Sequence, residues 1–232
     1  GARAHPGAGG ESRVTAFPII LSAPSGGGKT TIAKALLSGR QDIGYSVSCT
    51  TRQPRPGEIQ GKDYYFISRT EFIAKRERGE FAESAEVHGN LYGTLRSEVT
   101  KVLQSGRHVL MDVDVQGAVQ FMRVFPQSVT IFVLPPSAEV LLERLKMRQT
   151  ESAQELADRL QSALQELQSV DEYEYVVVND NLDEAIKRIG SIIDAEVSSR
   201  ERVVGLRTQV ALLIEKLEQE IVSRTHSEGS KK

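Results

Sequence analysis

Apolar residues fall along the chain in two alternating patterns, short continuous runs and longer stretches at three- and four-residue spacing. The first pattern suits buried strands and the second helices, so their alternation predicts a parallel sheet covered by helices. Phe17–Leu21 is the first run, and Pro18 stands near its start, where a missing donor is tolerated. A helix follows over Thr30–Leu37 and a short strand over Tyr45–Ser48. From about Leu95 a helix runs to Gln104 and is ended by Gly106. Val109–Val113 and Val129–Leu134 are predicted strands with a helix over Val115–Arg123 between them, and Pro135 and Pro136 close the second. Val176–Val178 reads as a last buried strand.

Two stretches break this rhythm. Residues 52–63 hold two prolines and two glycines, a loop by composition. Beyond it, Tyr64–Ile67 and Phe81–Val87 read as strands around a charged helix near Thr70–Arg78, an insertion with its own small sheet. Residues 137–168 are helical and highly charged, with Ala153, Leu156, Ala157, Leu160, Leu164 and Leu167 on one stripe. Asp183 starts a long helix that Val203, Leu206, Val210, Leu213, Leu217 and Ile221 continue. That is under three clear heptads, so packing on its own domain is preferred to a dimer seam, and a homodimer stays open. Residues 1–16 and 225–232 are expected to be disordered.

Composition narrows the function. Among 232 residues, 29 are basic and 31 acidic, for a net charge of −2, so no global positive field favours nucleic acid. No apolar run approaches the roughly 18 residues that span a bilayer. Cys49 is the single cysteine, which excludes a disulfide framework or a cysteine-based metal site and fits a reducing, cytoplasmic setting.

The strongest chemical signal is Ala23-Pro24-Ser25-Gly26-Gly27-Gly28-Lys29-Thr30, followed by Thr31. It matches the phosphate loop G-x-x-x-x-G-K-[ST] with Ala23 in place of the first glycine. Glycines let consecutive backbone N–H groups turn toward a phosphate, and the helix that follows offers its positive N-terminus to the same anion. Lys29 can reach the β- and γ-phosphates of a nucleoside triphosphate, and the Thr30 hydroxyl can ligate Mg²⁺. The loop specifies a nucleoside triphosphate and leaves the second substrate open.

Further candidates lie outside this loop. Arg52 and Arg55, three apart on a proline-held loop, can grip a phosphate with fork geometry, or can be solvated surface arginines. Asp112 and Asp114 close a predicted strand, where carboxylates suit a metal-water shell or a substrate contact; Asp114 is also placed to cap the next helix. Arg144 and Arg148 are four apart and share a helix face, while Arg159 sits on the next helix off its apolar stripe.

The stretch Ser48–Glu58 resembles the guanylate kinase family. So do Gly61-Lys62-Asp63-Tyr64-Tyr65-Phe66, Asn90-Leu91-Tyr92-Gly93-Thr94, Asp112–Gly117 and Val178-Asn179-Asp180, all in order between about Phe17 and Ala195. The resemblance implies an α/β fold, a nucleoside-monophosphate-kinase-like parallel sheet flanked by helices. It divides the chain into a P-loop core (17–47, 95–136 and 169–200), a small mixed α/β GMP-binding insertion (48–94), a helical lid (137–168) and a C-terminal helix (201–224). It implies transfer of the γ-phosphoryl of MgATP to GMP in purine nucleotide metabolism. Arg52, Arg55, Tyr64 and Tyr92 would hold the GMP phosphate; Ser48, Glu83, Thr94 and Asp114 would read guanine. Asp112 would lie nearer the phosphates and reach Mg²⁺ through water, and Arg144, Arg148 and Arg159 would close over ATP as lid arginines. Asn179 would be an adenine-side contact.

The base-reading assignment makes chemical sense. Guanine presents N1–H and N2–H₂ on one edge, and a carboxylate such as Glu83 accepts from both, whereas adenine offers a lone pair at N1. The sequence departs from the family at Thr94, where serine is usual and the hydroxyl is kept, and at Gln149, where glycine is usual after the second lid arginine. Two alternatives remain at this stage, a non-catalytic guanylate-kinase-like binding module and a P-loop kinase for another phosphorylated acceptor. A GTPase would carry Asn-Lys-x-Asp, which the sequence lacks.

Overall fold

The computed structural model describes residues 15–87, 89–146 and 153–229. Arg148 and Gln149 lie outside them. The chain divides into two units, one covering Ala16–Ile193 and the other containing Asp194 onward.

In the first unit, β1 (Pro18–Ser22), β2 (Ile43–Tyr45), β7 (His108–Asp112), β8 (Val129–Leu134) and β9 (Tyr175–Val178) form one parallel sheet in the order β2-β7-β1-β8-β9. The order places β1 at the centre, with every residue buried, which explains its unbroken apolar run. Helices α1 (Lys29–Gly39), α3 (Arg96–Gln104), α4 (Val115–Val124) and α7 (Leu182–Val197) connect or follow the strands. One core joins Ile20, Val109, Met111 and Phe132 of the sheet to Val99 and Val102 of α3 and Phe121 of α4. His108 is buried and its Nδ1 accepts from the Phe17 amide at 3.2 Å, so a polar ring at the base of β7 has its partner.

A second sheet has the order β4-β3-β6-β5, from β3 (Cys49–Thr50), β4 (Tyr65–Phe66), β5 (Phe81–Val87) and β6 (Asn90–Leu95). Helix α2 (Arg69–Glu77) covers it and buries Phe72 against Phe81, with ring centroids 4.4 Å apart. The register of β5 on β6 shifts between Phe81 and Glu83. An irregularity of that kind re-aims the side chain beside it, and here that side chain is Glu83.

The elements depart from the sequence expectation at five places. Of the expected strand over Tyr45–Ser48 only Tyr45 is in a strand, as the last residue of β2; residues 46–48 lead the chain out of the main sheet to β3 in the second one. Strand β6 was hidden within a polar, glycine-containing run. Strand β9 is an edge strand, with Val176 47% and Val178 41% exposed, so its apolar run does not mean burial on both faces. The inward face of α6 (Ala153–Gln168) carries Leu156, Ala163 and Leu167 against Leu141 and Leu145 of α5 (Ala138–Lys146), while Leu160 and Leu164 are exposed. Arg159 shares that inward face, since it lies three residues beyond Leu156 and four before Ala163.

The fifth departure is the C-terminal helix. It is broken between Val197 and Leu206, with Gly205 at φ 73°, and α8 (Leu206–Gly229) continues past Thr225. Val210, Leu213, Leu217 and Ile221 are all exposed, against the expectation that they pack on their own domain.

Candidate active site

The phosphate loop bridges β1 and α1, and its shape follows from its small residues. Gly26 and Gly28 adopt φ of 83° and 90°, in the left-handed region that side chains disfavour. Gly27 has a different constraint: a Cβ there would lie 2.8 Å from the Ala23 methyl and 2.9 Å from the Pro24 carbonyl oxygen. Ala23 in place of glycine is therefore accommodated by the bare α-carbon across the turn. Gly28 begins α1 with no side-chain cap and no acidic residue in the first turn, leaving the helix N-terminus open to an anion.

A cavity of about 440 Å³ opens over this loop, lined by residues 23–31 together with Arg144, Arg159 and Glu166. Helix α5 approaches closely enough that a Cβ on Gly26 would meet Arg144 Cβ at 3.5 Å. Arg144 Nη1 is buried with no hydrogen-bond partner among the described residues, a cationic donor available to an anion. Arg159 donates from Nη1 to the Leu145 carbonyl at 2.9 Å, which ties α6 to the end of α5. Glu166 was not anticipated from sequence. Its Oε2 accepts from the Ser25 amide at 2.8 Å, and burial pushes its carboxyl above the usual range against the opposing pull of that amide and of Lys29.

Lys29 Nζ lies 3.0 Å from Asp112 Oδ1, joining the phosphate loop to the end of β7. Asn179, expected as an adenine contact, is buried and works on the loop itself. Its Nδ2 donates to the Gly27 carbonyl at 3.0 Å and its amide to Leu134 at 2.7 Å, and a Cβ on Gly28 would stand 2.6 Å from Nδ2.

A second cleft of about 660 Å³ is lined by Thr30, which also lines the first, and reaches across to the small sheet. It brings together Ser48, Tyr64, Glu83, Tyr92, Thr94, Asp112 and Asp114. Glu83 is 9% exposed and accepts from the Thr94 hydroxyl at 2.6 Å. Because that proton is committed, Ser48 Oγ, 3.1 Å from Thr94 Oγ1, is the donor in their contact. Burial raises the Glu83 pKa; the Thr94 hydrogen bond opposes the rise and the nearby Asp114 carboxylate adds to it. Asp114 caps α4 by accepting from the Gly117 amide at 2.7 Å, the alternative role its position allowed.

At the cleft's outer end, Tyr64 and Tyr92 meet edge to face, with centroids 6.1 Å apart, and the Arg52 guanidinium sits 5.6 Å from the Tyr64 ring centroid. Arg52 makes a two-pronged pair with Glu58, at 3.0 and 2.8 Å, and Glu58 also accepts from the Arg55 amide at 2.7 Å. These donors hold the Glu58 carboxyl below the usual range. Glu58 orients the arginine loop; its signal in the sequence was its place three residues beyond Arg55. The Arg55 side chain is exposed and is not among the cleft's lining residues.

Comparison with known proteins shows the family. A family model described as Guanylate kinase matches residues 15–196. The guanylate kinase of Nitrosospira multiformis is 48% identical over 177 residues, covering 76% of this chain and 84% of that protein. That of Thermotoga maritima is 46% identical over 178 residues, covering 77% and 86%. The crystal structure of guanylate kinase from Anaplasma phagocytophilum superposes with a TM-score of 0.66 at 38% identity, covering 84% of this chain and 93% of that one. The matched span contains every segment that lines the two cavities, and the chain belongs to the guanylate kinase family.

Proposed function

We propose that the chain transfers the γ-phosphoryl group of ATP to GMP, giving ADP and GDP. The observation that carries this reading is the buried Glu83 carboxylate in a cleft that shares Thr30 with the cavity over the phosphate loop. An acceptor with adjacent N–H donors satisfies that carboxylate, and guanine has them. Ser48, Thr94 and Asp114 complete the base end in this proposal. Arg52, Arg55, Tyr64 and Tyr92 take the GMP phosphate, with Glu58 orienting the arginines.

Phosphoryl transfer asks for little covalent chemistry from the protein, so positioning and charge neutralisation supply most of the rate. The loop amides and the N-terminus of α1 hold the donor phosphates, and Lys29 follows the charge on the transferred group. Arg144 and Arg159 approach from the lid helices, and Arg148 belongs with them by family position. Closing this cover excludes water that would otherwise hydrolyse ATP.

Mg²⁺ is part of the proposal. Among the described residues no three His, Cys, Asp or Glu side chains converge on a metal site, which suits an ion that arrives with the nucleotide phosphates. The Thr30 hydroxyl and, through water, Asp112 would be its protein side, and the ion would neutralise charge between donor and acceptor. The domain division given above, with a GMP-binding insertion and a lid, belongs to the same reading. A reducing, cytoplasmic setting is proposed from the single free cysteine, Cys49, which leaves no disulfide framework. No described helix is long and apolar enough to cross a membrane. Self-association through α8 is proposed from its exposed apolar residues, and light scattering across a concentration series tests it.

A non-catalytic module is not favoured, because Lys29, Thr30 and the arginines over the loop are all retained. The test is ADP production from MgATP with GMP, AMP, UMP and CMP offered separately. Turnover with GMP alone is expected; ATP binding without turnover on any of the four overturns the proposal.

A further inference from the structure

Glu166 stands in a cationic neighbourhood for which the proposed reaction has no evident use of a carboxylate. It lines the same cavity as Lys29, Arg144 and Arg159, and an anion beside a phosphate cradle repels the ligand unless it serves another purpose. Its position on α6 indicates that purpose. Glu166 lies seven residues, two helical turns, beyond Arg159, so the two side chains share one face of the helix. That face packs a small apolar cluster, built on Leu141, Leu145 and Ala163, with Leu167 near its C-terminal end also touching the main core. The polar contacts of the face are what tie it down. Arg159 reaches back to the last turn of α5, and Glu166 reaches forward to the Ser25 amide at 2.8 Å.

We propose that Glu166 is a positioning residue for phosphoryl transfer: by accepting the Ser25 amide it fixes α6 on the phosphate loop and so sets Arg159 over the transferred group. The inference rests on the kinase reading above. Helix α6 is only partly buried, so few apolar contacts resist its sliding or rotating along the loop. A hydrogen bond from a fixed backbone amide supplies what packing does not, a defined register between helix and loop. The same bond holds Ser25 at the mouth of the loop, next to Gly26, whose left-handed conformation makes the turn. Burial raises the Glu166 pKa against the opposing pull of the Ser25 amide and Lys29, and the oxygen that faces the amide accepts in either protonation state. The carboxylate also offsets part of the repulsion among Lys29, Arg144 and Arg159, which line one cavity.

Three variants separate reach from charge. Glu166→Gln keeps an acceptor oxygen at the same distance and removes the charge. Glu166→Asp keeps the charge and withdraws it by one methylene. Glu166→Ala removes both. Steady-state kinetics on the intact chain should show kcat falling about 10- to 100-fold in the Ala and Asp variants, the size expected when a catalytic group is misplaced. The KM for GMP should stay within about twofold, because the acceptor end is untouched, and Gln should retain kcat within about threefold. That rescue, with the split between kcat and the GMP KM, is what a purely stabilising role would not produce. If Ala does not fold, Asp and Gln carry the test between them.

Kcat unchanged in Asp, or equally reduced in Gln and Asp, overturns the inference. The parent chain assayed beside them keeps the two readings apart. An inactive parent defeats the kinase reading, and the variants are then read by MgATP affinity. There a loss of about 10-fold in Asp but not in Gln supports the positioning role, and equal affinities overturn it.

Discussion

Thr94 donates its hydroxyl proton to Glu83 across 2.6 Å of buried space, so the carboxylate is aimed by a neighbour in its own sheet. The two residues are paired in register on β5 and β6, beside the irregularity that turns Glu83 inward. Thr94 therefore holds the reader in place. Glu83→Gln keeps an oxygen for Thr94 but presents an amide donor to the base. We expect the KM for GMP to rise about 100-fold with the ATP KM within about threefold, because the buried polar match to guanine is what is lost. Equal losses for both nucleotides in steady-state kinetics would mean that Glu83 supports the fold instead.

The raised pKa of Glu83 gives this reader a pH dependence with a defined sign. Burial is its main cause, and Asp114 adds to it. Accepting from guanine requires the carboxylate, so GMP affinity should fall as pH drops through the raised value, at a higher pH than an ordinary carboxylate would show. The stability term has the opposite sense. In the window between the unfolded and folded pKa values the folded state binds more protons, so this group costs stability as pH rises through it. Glu83→Gln should accordingly have a higher Tm than the parent at neutral pH and lose that advantage in acid. Thermal melts at the two pH values check it; a lower Tm at neutral pH would contradict it.

Arg52 illustrates how a phosphate grip is prepared. Glu58 holds both guanidinium prongs and the Arg55 amide, and the Tyr64 ring lies beneath. Arg52→Ala should raise the KM for GMP about 10- to 100-fold, as expected for a charge-assisted contact to phosphate. Guanosine carries no phosphate, so its weak competition against GMP should keep the same inhibition constant in parent and variant. An equal loss for guanosine would place Arg52 in the support of the base end.

Much of this was legible in the sequence because its signals are local. The run Phe17–Leu21 became β1, and the glycines of the phosphate loop occupy backbone positions that a Cβ would not tolerate. What was missed depends on contacts between distant residues. Glu166 is 141 residues from Ser25, and α6 was read from a stripe that put Leu160 and Leu164 inside when Leu156, Arg159 and Ala163 face inward. The apolar run of β9 suggested burial, yet sheet order, which no local pattern encodes, leaves it at an edge. Glu58 ends the run Ser48–Glu58, but its role comes from its bonds to the Arg52 guanidinium and the Arg55 amide.

Asn179 makes a contact that the expectation of an adenine-side role did not include. Its Nδ2 holds the Gly27 carbonyl inside the protein, 152 residues away in sequence. Asn179→Ala would strand that buried carbonyl, at a cost of about 1–3 kcal/mol. A chain of this size should then melt about 2–4 °C lower per kcal/mol. ATP affinity should weaken with it, and other purine donors should weaken by the same factor, since the side chain shapes the loop. Selective loss of ATP against GTP as donor would show a direct adenine contact instead.

Lys29 offers the sharpest test of the phosphate end. Its ammonium sits 3.0 Å from Asp112, and both side chains are about one-fifth exposed, so the pair is accessible to a ligand and contributes little to stability on its own. An incoming phosphate competes with Asp112 for the same charge, which lets Lys29 move with the transferred group at small cost. Lys29→Ala should therefore fold with a Tm within a few degrees of the parent and retain less than about a tenth of its phosphotransfer, since the missing charge acts chiefly in the transition state. Lys29→Arg keeps charge but spreads it over a planar fork, and should recover binding of ATP more than turnover. Phosphotransfer above a tenth of the parent in the alanine variant would remove Lys29 from the chemistry and leave it as the partner that neutralises Asp112.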